Sequence, residues 1–259
     1  MSDAARHIRL RDIHLRYGTT PILDGVSLDI ASGEFIVVVG ASGSGKTSLL
    51  RLAAGFLKAD RGTVAIDDAP ITAPGAERAV VFQDDALFPW LTVRDNVAFP
   101  LKLRGDRARK AKADARLQAV GLEGFGDRRL WELSGGQRQR VGLARALITQ
   151  PAFLLMDEPF AALDALTRAQ MQVALLEVWS RHRQGVLFIT HDIDEALLLA
   201  TRVVVLAGRP AKVAQTIDIG FARRVLEGEK VRTVRHDPAF QSLREQILDS
   251  LFEPAANTP

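Results

Sequence analysis

The chain has 259 residues, a formal net charge of +3, and 47% hydrophobic and 25% charged residues. That length fits one large domain, or one domain with an inserted lobe, and the hydrophobic content is enough to bury a core. The absence of cysteine excludes disulfides and thiolate metal sites. The charge is too mild to argue for nucleic acid, and no apolar run approaches the roughly 20 residues of a membrane-spanning helix.

Apolar residues near the N-terminus alternate with polar ones. Ile8, Leu10, Ile13 and Leu15 have the spacing of a half-buried strand. The continuous β-branched run at 35–39 instead predicts a strand that is buried on both faces. Further strands are predicted over 63–66, 79–82, 153–156, 186–190 and 203–206.

Helices are predicted between several of these strands. One follows the run at 35–39 and covers 47–54, and another covers 167–181. Between residues 91 and 130 the sequence changes character, because the stretch from Arg104 to Arg116 is rich in Arg, Lys and Ala. We expect a helical lobe there, inserted between core elements. The alternation of strands and helices predicts an α/β fold with a mostly parallel sheet.

A glycine-rich segment follows the run at 35–39. It reads Gly40-Ala41-Ser42-Gly43-Ser44-Gly45-Lys46-Thr47 and matches the pattern G-x-x-x-x-G-K-[ST]. Glycines let successive backbone N–H groups turn toward an anion, and the helix that follows directs its positive end at the same phosphates. We expect Lys46 to reach the β- and γ-phosphates and the Thr47 hydroxyl to bind Mg²⁺.

An acidic pair follows the apolar run at 153–156. Asp157 is placed to hold Mg²⁺ through water, as in other P-loop ATPases, and Glu158 is placed to polarise the attacking water. On its own such a pair would more often be a solvated strand end. The assignment therefore depends on the phosphate loop upstream.

A second anion-binding pattern reads Leu133-Ser134-Gly135-Gly136-Gln137 and precedes an amphipathic segment at 141–147. A serine hydroxyl and glycine N–H groups at the start of a helix can bind an anion. One chain does not need two such sites for one nucleotide. We therefore expect this segment to reach the γ-phosphate held by another copy of the domain, rather than to serve as an ordinary N-cap.

Together these motifs resemble the nucleotide-binding subunits of ATP-binding cassette (ABC) transporters, in the family's motif order and over nearly the whole chain. The resemblance implies a P-loop NTPase core with a mostly parallel sheet. It also implies an N-terminal antiparallel β-subdomain and an inserted α-helical subdomain at about 91–148. With a C-terminal extension at about 207–259, these parts would form a single nucleotide-binding domain spanning 1–259.

The resemblance also implies residue roles. Tyr17 would stack on adenine, the alternative being an aromatic of the strand's core face. Gln83 would contact Mg²⁺ and the attacking water, and His191 would bond the γ-phosphate. Ser134 and Gly136 would contact the γ-phosphate of the opposite protomer.

The segment Ala161-Ala162-Leu163-Asp164 matches the loop that crosses the dimer seam, with Asp164 as its functional carboxylate. The family usually begins this loop with Ser or Gly, so Ala161 is a small departure. The expected catalytic residues are Glu158, His191 and Gln83, and the expected metal-binding residues are Thr47, Gln83 and Asp157. The expected nucleotide-binding residues are Tyr17, Gly40, Ala41, Ser42, Gly43, Ser44, Gly45, Lys46, Thr47, Ser48, Ser134, Gly135, Gly136, Gln137 and Asp164.

The same resemblance implies ATP and Mg²⁺ as cofactors and a head-to-tail homodimer in which each copy completes the other's site. The dimer would be a peripheral ATPase at the cytoplasmic face of the cell membrane. Its partners would be two transmembrane permease subunits and, indirectly, a periplasmic or extracellular solute-binding protein, with no nucleic acid.

One connecting segment, Leu87-Phe88-Pro89-Trp90-Leu91, is unusually apolar, and exposed aromatic patches often mark partner surfaces. In the family this region and the helical lobe form a groove that receives a short helix of the membrane subunit. The alternative is that Phe88 and Trp90 simply pack the lobe.

The cargo does not touch this chain, so only finer resemblance addresses it. Several strings resemble the nitrate, sulfonate and taurine importers, and the taurine branch in particular. They are Gly75-Ala76-Glu77-Arg78, Phe88-Pro89-Trp90, Asp157-Glu158-Pro159-Phe160, Phe221-Ala222-Arg223-Arg224 and Asp237-Pro238-Ala239-Phe240. We expect taurine or a related sulfonate as cargo, with an aliphatic sulfonate, nitrate or a thiamine precursor as alternatives. The first string and the last two have no derivable role, and the basic run at 223–235 is expected to be a solvated surface.

Two other classes compete with the transporter interpretation. A soluble ABC-type ATPase of DNA repair or translation would usually carry two cassettes or long coiled-coil insertions, and neither is visible. A P-loop kinase or GTPase is disfavoured by the segment 133–137 and by His191, and no guanine-reading Asn-Lys-x-Asp occurs.

Overall fold

The computed structural model describes residues 6–83 and 86–252. In these ranges the strands are β1 (His7–Tyr17), β2 (Thr20–Ala31), β3 (Phe35–Gly40), β4 (Arg61–Ile66), β5 (Ala69–Pro70), β6 (Arg78–Val81), β7 (Phe153–Asp157), β8 (Gly185–Ile189), β9 (Arg202–Ala207) and β10 (Lys212–Asp218). The helices are α1 (Lys46–Ala54), α2 (Val93–Leu103), α3 (Arg109–Ala119), α4 (Gly135–Leu147), α5 (Ala165–His182), α6 (Ile193–Leu199), α7 (Phe221–Leu226), α8 (Val231–Arg235) and α9 (Pro238–Phe252), with a 3₁₀ turn at Leu130–Glu132. Residues 253–259 of the expected extension lie outside the described residues.

The larger sheet carries the centre of the fold. Its six strands lie in the order β10-β9-β3-β8-β7-β6, and all neighbouring pairs are parallel except β9 with the edge strand β10. Every residue of β3, β7 and β8 is buried. Strands covered on both faces are continuous apolar runs, and the prediction of a mostly parallel α/β sheet is confirmed.

A smaller antiparallel sheet has the order β2-β1-β4-β5. The alternating residues Ile8, Leu10, Ile13 and Leu15 are all buried, as their spacing predicted. β2 was not among the strands predicted from the sequence, and its segment at 20–31 contains Pro21 and Gly25, two residue types that are uncommon inside strands. Pairing with β1, across three register shifts, makes it a strand.

Helices α2, α3 and α4 pack on one another and fall within 91–148, the range expected for the helical subdomain. The fully buried Asn96 ties this lobe to the apolar segment that precedes it. Its Oδ1 accepts a hydrogen bond from Phe88 N at 2.8 Å, and its Nδ2 donates to Phe88 O at 3.1 Å and Thr92 O at 3.0 Å. The backbone around Phe88 therefore has a fixed position against α2.

The C-terminal helices α7 to α9 pack around α6, the last helix of the core. Phe221 and Phe240 are both buried and meet with ring centroids 5.0 Å apart. Arg224 pairs with Glu229 at 2.7 Å and with Asp237 at 2.6 Å. The two C-terminal strings that had no derivable role are therefore partners of each other.

The expectation of a solvated basic surface at 223–235 is wrong for part of this run. Arg223 and Arg232 are exposed. Arg224 and Arg235 are partly buried and hydrogen-bonded, because the fold of α7 to α9 turns them toward carboxylate and amide partners. Among the described helices, none is both long and apolar enough to cross a membrane.

Candidate nucleotide-binding site

Four neighbouring parallel strands end at one edge of the larger sheet. The glycine-rich loop follows β3, Gln83 follows β6, the acidic pair ends β7, and His191 follows β8. A cleft of about 600 Å³ lies at this edge. It is lined by Tyr17, Ile22, Ser42, Gly43, Ser44, Gly45, Lys46, Thr47, Ser48, Gln83, Glu158 and His191. The structure therefore brings most of the expected nucleotide-binding and catalytic residues together.

Glycines shape the loop between β3 and α1. Gly43 and Gly45 have φ values of +79° and +81°, which L side chains rarely adopt. A Cβ on Gly45 would lie 2.7 Å from Leu23 Cδ2. The Ser44 hydroxyl is buried and has no hydrogen-bond partner among the described residues. The loop is therefore a tight turn that leaves the Ser44 hydroxyl without a partner among the described residues, as expected of an anion-binding loop.

Lys46 is the buried cation of the cleft, with 7% of its surface exposed. Its Nζ donates to Gly40 O at 2.8 Å and to Ala41 O at 2.9 Å. Burial lowers the pKa of Lys46, while the carboxylates of Glu158 and Asp157 act to raise it. These contacts hold an ammonium group beside the loop, where it can bind phosphate oxygens.

Asp157 lies at the buried end of β7 beside the first turn of α1. Thr47 Oγ1 donates to its Oδ1 at 3.2 Å. Burial raises the pKa of Asp157, and the hydrogen bond from Thr47 opposes that effect. In the described chain, no group of three or more His, Cys, Asp or Glu side chains could hold a metal ion. Thr47 and Asp157 nevertheless offer the oxygen atoms that Mg²⁺ prefers when phosphate and water complete its coordination.

Glu158 stands at the start of the loop after β7. It adopts a φ of +46°, and its N–H donates to Ile189 O of β8 at 2.9 Å. Its Oε1 lies 3.2 Å from His191 Nδ1. A non-glycine residue in this conformation is strained and persists only where the surroundings hold it. Here the bond to β8 fixes Glu158 next to His191 at the cleft wall.

Tyr17, the last residue of β1, borders the cleft from the smaller sheet. It is 48% exposed, and its hydroxyl lies 3.0 Å from Ser48 Oγ of α1. The alternative of a core aromatic is therefore wrong. The exposed ring is available for stacking on a planar base.

The second anion-binding segment lies outside this cleft. Ser134 is exposed and begins α4 as its N-cap, with its Oγ accepting from Gln137 N at 3.2 Å and Gln137 Oε1 accepting from Ser134 N at 2.9 Å. Gly136 packs closely on the loop before α5, where a Cβ would lie 2.9 Å from Leu163 Cδ2. Gly135 belongs to the same first turn.

Asp164, in that loop, is also exposed and caps α5. Its Oδ1 accepts from Thr167 N at 3.0 Å, and this hydrogen bonding lowers the pKa of Asp164. Ser134–Gln137 and Asp164 are thus brought near each other, on a surface separate from the phosphate loop of the same chain.

The sequence reasoning missed Gln139. It is buried in α4, where its Oε1 accepts from Ala162 N at 3.2 Å and its Nε2 lies 3.5 Å from Gln83 O. It therefore joins the start of α4 to two loops of the site. A polar residue on the buried face of an amphipathic segment was the only signal that the sequence offered.

Fold and site define an ATP-binding cassette: a glycine-rich loop on a parallel sheet, beside an antiparallel sheet and a helical lobe in which Ser134 caps α4. Residues 23–161 match the family described as ABC transporter. The chain belongs to this family.

Its relatives include curated proteins named as taurine import ATP-binding protein TauB. The one from Mesorhizobium japonicum is 54% identical over 95% of this chain and 98% of its own length. The one from Pseudomonas putida strain KT2440 is 51% identical over 95% of each chain. A solved structure described as a dimeric post-hydrolysis state of the ATP-binding cassette MJ0796 bound to ADP and Pi has a TM-score of 0.74 and 30% identity. The similarity covers 82% of this chain and 99% of that chain.

Gly43 and Gly45 of the phosphate loop provide a matched pair of substitutions. Gly43→Ala and Gly45→Ala both force alanine into a left-handed conformation, but only at Gly45 does the added Cβ meet neighbours closer than 3 Å. We expect Gly45→Ala to lower the free energy of unfolding by about 1–3 kcal/mol more than Gly43→Ala. Urea denaturation measures both, and equal losses would contradict the packing argument.

Proposed function

We propose that this chain hydrolyses ATP as one half of a homodimer and powers the import of taurine or a related sulfonate. The proposal of ATP hydrolysis by a homodimer rests on one observation: the two segments expected to bind the nucleotide's phosphates lie on different surfaces of the same chain. A complete phosphate loop lines the cleft, while the second anion-binding segment at Ser134–Gln137 lies on another surface of the same chain. Such a segment serves a nucleotide held by a second copy.

Within one protomer, the phosphate loop from Gly40 to Thr47 binds the phosphates of ATP, with Ser48 behind it in α1. Tyr17 stacks on adenine. Lys46, whose Nζ donates to Gly40 O and Ala41 O of the loop in the structure, binds the β- and γ-phosphate oxygens. Thr47, Asp157 and Gln83 hold Mg²⁺, which neutralises developing phosphate charge when bound.

Hydrolysis requires a base beside the terminal phosphate. Glu158 has a partly exposed carboxylate held by its backbone bond to β8, and it accepts the proton of the attacking water. His191 lies 3.2 Å from Glu158, so that one side chain orients the other while the imidazole bonds the γ-phosphate. Gln83 lies at the edge of the cleft and helps to orient the water. Most of the catalysis comes from positioning and charge stabilisation.

The second protomer completes the site from the opposite side. Ser134, Gly135, Gly136 and Gln137 bind the γ-phosphate of the partner's nucleotide, with the serine hydroxyl and the N–H groups at the start of α4. Asp164 crosses the dimer seam beside them. ATP therefore closes the dimer and hydrolysis opens it. The similarity to a dimeric cassette supports this arrangement.

An apolar groove supports docking to a permease. A cavity of about 520 Å³ lies between β6, α2 and α4, and Phe88, Phe99 and Leu103 line it. Trp90 is 68% exposed and packs on Phe88 at 5.5 Å between ring centroids, beside the groove rather than in it. We assign this groove, one in each copy of the proposed homodimer, to a short helix of one of the two transmembrane permease subunits. The dimer thereby works as a peripheral subunit at the cytoplasmic face of the membrane, with a solute-binding protein delivering cargo from the other side.

Replacing the proposed base separates nucleotide binding from turnover. Glu158→Gln should lower kcat for ATP by at least about 100-fold and should accumulate as an ATP-bound dimer in size-exclusion chromatography. Glu123→Gln, an exposed carboxylate remote from the cleft, is the matched control and should keep normal turnover. Normal ATPase activity of Glu158→Gln would remove Glu158 as the base.

The docking groove is tested by changing its most exposed apolar residue. Leu103 is 75% exposed, so Leu103→Glu should leave the fold and ATP affinity intact while it places a charge in the groove. We expect loss of co-purification with the permeases, and a smaller loss for Trp90→Ala. Lys102→Glu, an exposed neighbour outside the groove lining, is the control. Unchanged assembly of Leu103→Glu would contradict the assignment.

The cargo is tested with a strain that lacks this gene. Its growth is compared on taurine, on a longer alkanesulfonate and on sulfate as the sulfur source. We expect loss of growth on taurine alone, restored by the wild-type gene but not by the Glu158→Gln variant. Failure only on the longer alkanesulfonate would assign that cargo instead. Normal growth on taurine in a strain without a second taurine importer would reject taurine.

A further inference from the structure

One buried carboxylate lies just behind the proposed catalytic pair. Among the charged residues of the described chain, Lys46, Asp157 and Glu195 are buried as whole residues. The first two belong to the nucleotide cleft, whereas Glu195 lies in α6 and is 4% exposed. Burying a carboxylate costs several kcal/mol unless hydrogen bonds compensate for it. A cavity of about 60 Å³ is lined by Glu195 together with Glu158 and His191.

The surroundings of Glu195 include the backbone that carries His191. Thr190, the residue directly before His191, lines the same cavity as Glu195, and its hydroxyl acts to lower the pKa of Glu195 against the larger effect of burial. Thr190 Oγ1 also accepts from Asp192 N at 3.0 Å, on the other side of His191. The Thr190 hydroxyl therefore ties the residue after His191 to the wall of the cavity that Glu195 lines.

A second contact links Glu195 to the C-terminal helices. Gln172 of α5 is fully buried, and its Nε2 donates to Glu195 Oε1 at 3.0 Å. Arg235 of α8 donates from Nη2 to Gln172 Oε1 at 3.3 Å. A guanidinium has only donors, so it selects the amide oxygen of Gln172. The amide nitrogen consequently faces Glu195.

The position of Arg235 depends on the packing of α7 to α9. The chain segments before and after α8 are held together by side-chain contacts. These are the aromatic pair Phe221–Phe240 and the ion pair of Arg224 with Asp237, and Arg224 also pairs with Glu229. Val234, next to Arg235, is fully buried. Two charged groups act on Glu195: Asp192 raises the pKa of its carboxyl and Arg168 lowers it.

We propose that Glu195 is a positioning residue for His191, and that Arg235 and Gln172 make this position depend on the C-terminal helices. The inference rests on the proposed ATPase function. The C-terminal segments 221–224 and 237–240, which lie outside the nucleotide site, then affect hydrolysis from a distance. The contacts that connect them to His191 run through Arg235, Gln172, Glu195 and Thr190.

The test uses the purified full-length chain and compares kcat with ATP affinity. Glu195→Ala should lower kcat by about tenfold, because small displacements of catalytic groups cost rate rather than binding, while the dissociation constant for ATP stays within about twofold. Glu195→Gln keeps the size and an acceptor oxygen and should retain at least half of wild-type kcat. Arg235→Met should lower kcat several-fold, and Arg232→Met, an exposed arginine of the same helix, should not.

A double variant separates this chain of contacts from general destabilisation. If Arg235 acts through Glu195, Arg235→Met should add little to the loss already caused by Glu195→Ala, whereas independent effects would multiply. Multiplying effects, or equal losses of kcat in Glu195→Gln and Glu195→Ala, would overturn the proposal. So would unchanged kcat in all variants. Wild-type chain without ATPase activity would instead reject the proposed function itself.

Discussion

The shared carboxyl edge of β3, β8, β7 and β6 is the constraint on which the site depends. These strands are parallel neighbours, so the segments that follow their carboxyl ends meet along one edge of the sheet. Adjacent strands are about 4.8 Å apart, which leaves Glu158 and His191 in contact without any long loop. The register that pairs Asp157 with Ile189 also supplies the carbonyl that holds Glu158. Because all three central strands are buried throughout, the sheet cannot shift without losing core packing.

This arrangement keeps groups of opposite charge close together and partly shielded from solvent. Burial lowers the pKa of Lys46 and raises that of Asp157, and each is opposed by neighbours that favour its charged form. Such groups interact more strongly than they would in water, since the surroundings screen them less. A rigid sheet holds them before the nucleotide arrives, so that little reorganisation accompanies the reaction. The strained backbone of Glu158 belongs to the same preorganised set.

Sequence reasoning succeeded where the pattern is local. The buried runs of β3, β7 and β8 and the glycine-rich loop are each specified by a few consecutive residues. It failed where partners lie far apart in the chain. The strand β2 depends on pairing with β1 despite Pro21 and an interior glycine, and the buried positions of Arg224 and Arg235 depend on how α7 to α9 close on the core. Gln139 and Glu195 resembled ordinary helix residues because their partners come from other elements.

Helix α4 has an exposed start and a buried interior face, and the proposed division of the site between two copies gives each of them a role. Its N-cap Ser134 is exposed, where the proposed partner's nucleotide would bind, and Gly136 of the first turn packs on Leu163. One turn later Gln139 contacts the loop of Ala162 and lies near the carbonyl of Gln83 in its own protomer. The buried face of α4 therefore fixes the exposed start of the helix relative to Gln83 of the same chain, and packing rather than proximity connects the two proposed parts of the site.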